Sequence, residues 1–437
     1  MSKEKATSLF KSIELAHEGD FDADCEQLWD FYRGAHKKHM GPILAAAYKN
    51  AVRSGMRTVA VPLVKRIVDT TATLFHRPPI WHISRDGEDL EEGTPERETW
   101  AAIDKAIRLN NQCKTGQRGS RRDKTAALAG AWRGKGDGKI HLDVYRPNQF
   151  FAVTDTLGPG DVDSIQAIAL VSGQGYFMWA DDVYGYFVKE DEDSEEYTCF
   201  DPLETGNVNP YGRIPVTIVH DIPGPDVIAA LDDTLVTGQI AADTLWSAFT
   251  WAMQQGFTMN VMLTDADMAG KDLVGGPDRF IIAPSNGGDT VVKRLSSELD
   301  AEGMIHFVSA LVKTNAVMHA ADPGLFSLDT NSFADAISGV AKEVDRMDLV
   351  SVREDQEPDW EYYCADIFDS VRAVWNYHAP TAVQLGDDLE LRMEWVEPRP
   401  AGNSLQDAQA DALRVEAGTA TTEEIQAERD GKALEDV

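Results

Sequence analysis

The residues best placed to do chemistry lie in a glycine-rich run, Gly134-Lys135-Gly136-Asp137-Gly138-Lys139. A phosphate-cradling loop has the form G-x-x-x-x-G-K-[ST], in which backbone N–H groups wrap the phosphates and a hydroxyl holds magnesium. Here one residue too few separates Gly134 from Gly138, and Ile140 stands where the hydroxyl belongs. The run also lacks the full G-x-G-x-x-G of a dinucleotide site, and it reads as a hairpin turn. His36 and His39 have helical spacing, but Lys37 and Lys38 lie between them and no H-E-x-x-H exists. A solvated basic turn is the reading there. Asp137-Gly-Lys139 and Pro277-Asp278 are fragments of a carboxylate–lysine nuclease pattern, expected by chance among 73 acids. G-x-S-x-G is absent, and His220, before Asp221-Ile-Pro-Gly224, reads as a loop histidine rather than a base. Cys25, Cys113, Cys199 and Cys364 match no metal or redox spacing and read as reduced, packed thiols of an intracellular product. The expectation is a protein without catalysis, cofactor or metal.

One cluster remains. Residues 97–139 hold 11 Lys/Arg against 4 Asp/Glu. Arg118, Arg121, Arg122 and Lys124 form its centre. They could touch phosphates without reading sequence, or pair with acids of the same or a neighbouring subunit. The surrounding chain is opposite in sign: 437 residues carry 41 Lys+Arg and 73 Asp+Glu, a net charge of −32. That excludes a general electrostatic binder of DNA or of membranes, whose footprint must be basic. With 43% apolar residues the chain can still bury a real core. No stretch approaches the roughly 18 apolar residues of a membrane span. No signal-peptide core follows Met1-Ser-Lys-Glu-Lys5, and no fixed-period repeat is seen.

The elements that must position these residues follow from periodicity. The first 75 residues read as helical, and Pro78-Pro79 stops the last apolar stretch before a strand-like Ile80–Ser84. Strands dominate from residue 140 to about 220, and the acidic stretch Asp181–Glu204 reads as a solvated hairpin or loop. Val227–Gly256 is a long helical pattern. Short strands at Met259–Leu263 and Arg279–Ile282 flank a Gly/Pro/Asp-rich centre, and helix resumes at Ser297–His319. Asp322-Pro-Gly324 is a break. Phe333–His378 reads as a very long helix kinked at Pro358. Leu389–Trp395 alternates as a strand, Pro398-Arg-Pro-Ala-Gly402 is a linker, and 404–437 is a polar helical tail. The class is α+β, with a small β unit set between long helices. That layout suits an elongated subunit whose helices pack against its neighbours.

Several segments, in this order, resemble the portal proteins of tailed double-stranded DNA phages, most closely those of long-tailed phages. They are Leu74-Phe-His-Arg-Pro-Pro-Ile80 with Val68-Asp69, Asn209-Pro-Tyr-Gly-Arg-Ile-Pro-Val216, Ala230-Leu-Asp-Asp-Thr-Leu235, Ser338-Gly-Val-Ala-Lys342 and Gly418-Thr-Ala-Thr-Thr-Glu-Glu424. The likeness covers most of residues 50–430. It implies a ring, usually of twelve subunits, at one vertex of the virion capsid, made in the bacterial cytoplasm. Its partners would be the terminase large subunit that supplies ATP hydrolysis, a head-completion or adaptor protein, major capsid and scaffolding proteins, and double-stranded DNA passing without sequence readout. The subdomains it implies are a wing (1–223, with a long kinked helix and returning strand at 333–403), stem helices (224–256 and 297–320) and a small clip (257–296). A tunnel loop (321–332) and a reduced helical crown (404–437) complete the set. Asp322, Leu325, Phe326, Leu328, Asp329 and Asn331 would then face the channel. Asp265, Asp267, Lys271, Asp272, Asp278 and Arg279 would dock motor and adaptor. Two rival readings are an acidic DNA-mimic or inhibitor, whose acids would be spaced like phosphates on one face, and a metal-dependent nuclease or hydrolase.

Overall fold

The computed structural model describes residues 2–13, 15, 19–49, 55–134, 138–154, 165–189, 196–224, 226–257, 260–264, 281–283, 292–295, 301–326 and 347–396. Among these, the chain is mixed helix and sheet. Three short helices open it: α1 (Ser2–Ser12), α2 (Phe21–Tyr32) and α3 (His36–Ala47). Helix α4 (Leu63–Thr71) follows and shows one sharply apolar face, Leu63, Val64, Ile67, Val68 and Thr71. The expected strand is present as β1 (Ile80–Arg85), which pairs with β2 (Glu88–Asp89) and, across the chain, with β14 (Leu389–Glu394). Helix α5 (Pro95–Ile107) starts with proline at its first turn beside Glu96 and Glu98, where neither the missing N–H nor the negative charge is costly.

The basic segment folds as α6 (Leu109–Asp123) running into β3 (Thr125–Arg133). Strand β3 lies between β4 (Lys139–Tyr145) and β10 (Val216–His220). Its inner half is buried on both faces, as befits a central strand covered by helices. Gly116 sets the depth at which α6 beds down: a Cβ there would crowd Leu128 and the Trp360 ring. Five antiparallel strands form a separate meander, β5 (Phe150–Thr154), β6 (Ile165–Ser172), β7 (Gly175–Ala180), β8 (Tyr184–Lys189) and β9 (Tyr197–Phe200). The acidic stretch 181–204 is therefore a hairpin of this sheet, and Tyr184 and Phe187 on it are fully buried.

Helix α7 (Asp233–Phe257) begins at Asp233 rather than 224; residues 226–232 form a bend and irregular backbone. It leads to a three-stranded sheet, β11 (Asn260–Thr264), β12 (Ile281–Ala283) and β13 (Val292–Leu295), with β11 in the centre. Helix α8 (Ala301–Met318) then returns and packs along α7. At their contact Gly238 faces Asn315 so closely that any Cβ would overlap the Asn315 amide. A 3₁₀ turn, Pro323–Phe326, closes the return.

Helix α9 (Met347–His378) runs on through Pro358 without a break. Trp360, Tyr363, Cys364, Ile367, Phe368, Val371 and Val374 form its inner stripe at helical spacing. The stripe packs on β3, β10 and β14 and holds the main core together. Fully burying each such side chain stabilises the fold by about 1.5–3 kcal/mol. A second core joins α2, α3 and α4 to the α7/α8 hairpin. The expected start of this long helix at 333 and the tail 404–437 lie outside the described residues.

Candidate functional site

The α7/α8 hairpin is where the structure concentrates its unusual features. Helix α7 has only two charged residues, Asp233 and Asp243, and Asp243 is fully buried. Three polar side chains at i, i+4 and i+8 of α7 bind the extended backbone that enters α4. Gln239 Oε1 accepts the Val64 N–H at 2.9 Å, and its Nε2 donates to the Val61 carbonyl at 2.6 Å. Asp243 Oδ1 accepts the Val61 N–H at 2.7 Å. Ser247 Oγ accepts the Val59 N–H at 2.9 Å. The other oxygen of Asp243 meets His36 Nδ1 at 2.5 Å. These groups supply partners that a half-buried, non-regular backbone otherwise lacks. The reading of His36 and His39 as a solvated basic turn is corrected: His36 is buried at the start of α3, and His39 Nε2 lies 2.8 Å from the buried Asp30.

The basic cluster is occupied from within. Arg118 pairs with Asp69 at 3.1 Å. Arg121 and Lys124 grip the two oxygens of buried Asp221 at 2.6 and 2.9 Å. Lys124 also faces Asp232 at 3.7 Å, next to His319 in the turn just past α8. Arg122 is 3% exposed, ion-paired to Asp123 and stacked over Trp29 at 4.5 Å. Of the readings open for these four cations, pairing within the same chain is the one the geometry makes; phosphate or inter-subunit contact is not needed to neutralise them. Burial left uncompensated would cost each ion several kcal/mol, so the acids had to come close. His220 is the last residue of β10 rather than a loop residue. It is buried with Nε2 at 3.1 Å from the Val227 carbonyl, and burial lowers its pKa.

The break after α8 is a tight turn. Asp322 Oδ1 accepts the Gly324 N–H at 2.7 Å, the local bond expected of Asp-Pro-Gly. Phe326 is 1% exposed, packed in the second core with the Arg66 guanidinium 5.5 Å over its ring. Phe326, expected to face a channel, has its side chain inside the core of its own subunit. Leu328, Asp329 and Asn331 lie outside the described residues, as do the side chain of Leu325 and the six clip residues Asp265, Asp267, Lys271, Asp272, Asp278 and Arg279.

Among the described residues no group of three or more His, Cys, Asp or Glu could hold a metal ion. No described helix is long and apolar enough to cross a membrane. The Gln239/Asp243/Ser247 stripe escaped the sequence reading, although polar residues every fourth position in an otherwise apolar helix are a visible signal.

No family model matches the chain, and no curated protein does. Solved structures do resemble it. One is the virion of a native gene transfer agent particle, at 11% identity, covering 85% of this chain and 89% of that one, with TM-score 0.41. A second is the neck of an empty particle of that kind computed with C6 symmetry, at 11% identity, covering 88% and 93%, with TM-score 0.44. A third is the neck of the native particle computed with C12 symmetry, at 13% identity, covering 85% and 93%, with TM-score 0.38. At such identities and scores these are likenesses in outline, and no function is taken from them.

Proposed function

We propose that the chain is the subunit of a ring-shaped DNA channel, the portal of a tailed-phage-like particle. The genome would be driven in through it by a terminase motor and would later leave, and head-completion proteins would attach to it. One observation carries the reading: two long, nearly uncharged helices, α7 and α8, pack as a hairpin, and a small three-stranded sheet lies between them in the chain. That is the stem-and-clip order expected from the sequence resemblance. In this reading residues 1–223 and 333–403 form the wing, α7 and α8 the stem, 257–296 the clip that docks motor and adaptor, 321–332 the tunnel loop, and 404–437 a reduced crown.

Two physical points support it. The outward face of α8 shows Phe307, Ala310, Val317 and Met318 exposed at helical spacing, with Phe307 at 56% and Met318 at 60%. In a chain of net charge −32 such a stripe suits burial against a neighbouring copy. A conduit must also not hold its cargo. Each neutralised phosphate releases counterions and adds affinity, so an acidic protein whose Arg118–Lys124 cluster is internally paired leaves DNA mobile. Twelve copies would carry about −380 formally, but screening confines that repulsion to about 8 Å at physiological salt. Apolar subunit contacts can therefore offset it.

The test is the mass and image of the purified full chain. Twelve subunits of 48.1 kDa form a particle of about 580 kDa, a ring with a central hole in negative stain. A monomer or dimer at all protein and salt concentrations would overturn the proposal.

A further inference from the structure

A groove of about 610 Å³ opens between β3/β4, the five-stranded sheet and the C-terminal end of α9. Its walls are aromatic slabs. Trp132 stacks on His378 with centroids 5.1 Å apart and planes 7° apart. Trp179 stacks on Tyr211 at 5.1 Å, and Tyr377 meets Tyr211 edge-on at 5.8 Å. The Tyr211 hydroxyl lies 2.8 Å from His378 Nε2. Burial pushes the His378 pKa down to about 4, so at neutral pH its ring is uncharged. At the rim, Glu204 is exposed and makes no ion pair among the described residues. Its loop is fixed by Asp201, which accepts the N–H groups of Gly206 and Asn207. The one arginine of the lining, Arg133, is already paired with Asp143 at 2.5 Å. The carboxyl end of α9 adds negative potential.

Flat aromatic walls beside an unpaired carboxylate suit an extended proline-containing segment with an arginine. Proline rings lie against aromatic faces and lose little entropy, and a guanidinium gains from both ring and carboxylate. The chain carries such a run, Pro398-Arg399-Pro400, just past β14. Its own groove is out of reach of the run. The Val396 carbonyl is held by Arg353 at 3.0 Å, whereas the groove lies at His378, about 37 Å away along α9 at 1.5 Å per residue. Three residues beyond Val396 span about 10 Å at most.

We propose that this groove receives Pro398-Arg399-Pro400 of a neighbouring copy, tying adjacent subunits together. The inference rests on the ring reading, since it needs a neighbour. The experiment uses full-length protein with p-benzoylphenylalanine in place of Ala401, mixed with an ¹⁵N-labelled copy, sized by light scattering and then photolysed. The expected result is a ring in which cross-linked peptides join light and heavy copies, at 200–211 or at Tyr377–His378. Tyr377→Ala and Glu204→Lys, both at exposed positions, should each lower that yield about tenfold while the ring mass stays unchanged. Rings with cross-links elsewhere, only within one copy, or indifferent to both variants overturn the inference and leave the ring reading standing. A protein that never forms rings overturns both.

Discussion

His36 Nδ1 and Asp243 Oδ2, 207 positions apart in the chain, meet in a buried side-chain contact at 2.5 Å whose side chains are 3% and 0% exposed. The pair joins the first helices to α7 and places the hairpin on the body. The other Asp243 oxygen holds the Val61 N–H, so one carboxylate satisfies two elements at once. Removing it strands both partners in the interior. Asp243→Ala should cost about 3–5 kcal/mol of unfolding free energy, and Asp243→Asn less, because the amide oxygen can still accept. Urea unfolding at pH 7 measures this; a change below about 1 kcal/mol for the alanine variant would contradict the anchoring role.

Gly238 is the point of closest approach within the hairpin. Alanine there should improve local helix propensity by about 1 kcal/mol yet destabilise the protein by about 1–3 kcal/mol, because its Cβ would collide with the Asn315 amide. Adding Asn315→Ala removes the colliding atoms. The double variant should recover most of the loss, and thermal unfolding of the two proteins side by side is the check. Equal destabilisation in both would mean that the collision is not the cause.

Phe326 separates a channel role from a packing role. Buried in the second core beneath Arg66, it should cost about 3–5 kcal/mol when changed to alanine. Asp322→Lys should alter stability little, since it removes only a local turn bond. In the portal reading, Asp322→Lys combined with Asp329→Lys would instead slow DNA passage and make DNA retention salt-sensitive. Denaturant curves and a packaging assay on the same variants distinguish the two roles.

His378 predicts a pH dependence. Burial lowers its folded pKa to about 4, against about 6.5 in an unfolded chain. The unfolded state therefore binds the proton first. The stability due to this residue is complete above pH 6.5 and is lost progressively as pH falls to about 4. His378→Gln should flatten the stability profile within that window. A wild-type profile identical to that of the variant from pH 7 to 4 would count against a buried, neutral His378.

Much of this architecture follows from the sequence alone. The 3.6-residue stripes of α4 and α9, the alternation in β4 and β14, and the helix–small-sheet–helix order around residues 257–300 depend on neighbours a few positions away. Such patterns survive in a one-dimensional reading because amphipathic elements must show their core face locally. So does the break at Asp322-Pro-Gly324, whose side chain bonds a backbone N–H two residues on. What tertiary structure decided is which charges and rings are used up internally. Lys124, Arg121 and Arg122 look like a free basic patch until Asp221 arrives from the end of β10 and Trp29 from α2. His36 looks solvated until α7 covers it. The hairpin 181–204 looks like an acidic loop until Tyr184 and Phe187 turn inward, because period-two strands hide one face whatever the other carries. Phe326 looks like a loop tip until α4 packs over it. In each case the partner lies many tens to hundreds of residues away. Its approach is set by how cores close rather than by any local pattern, so these pairings became visible only in the folded chain.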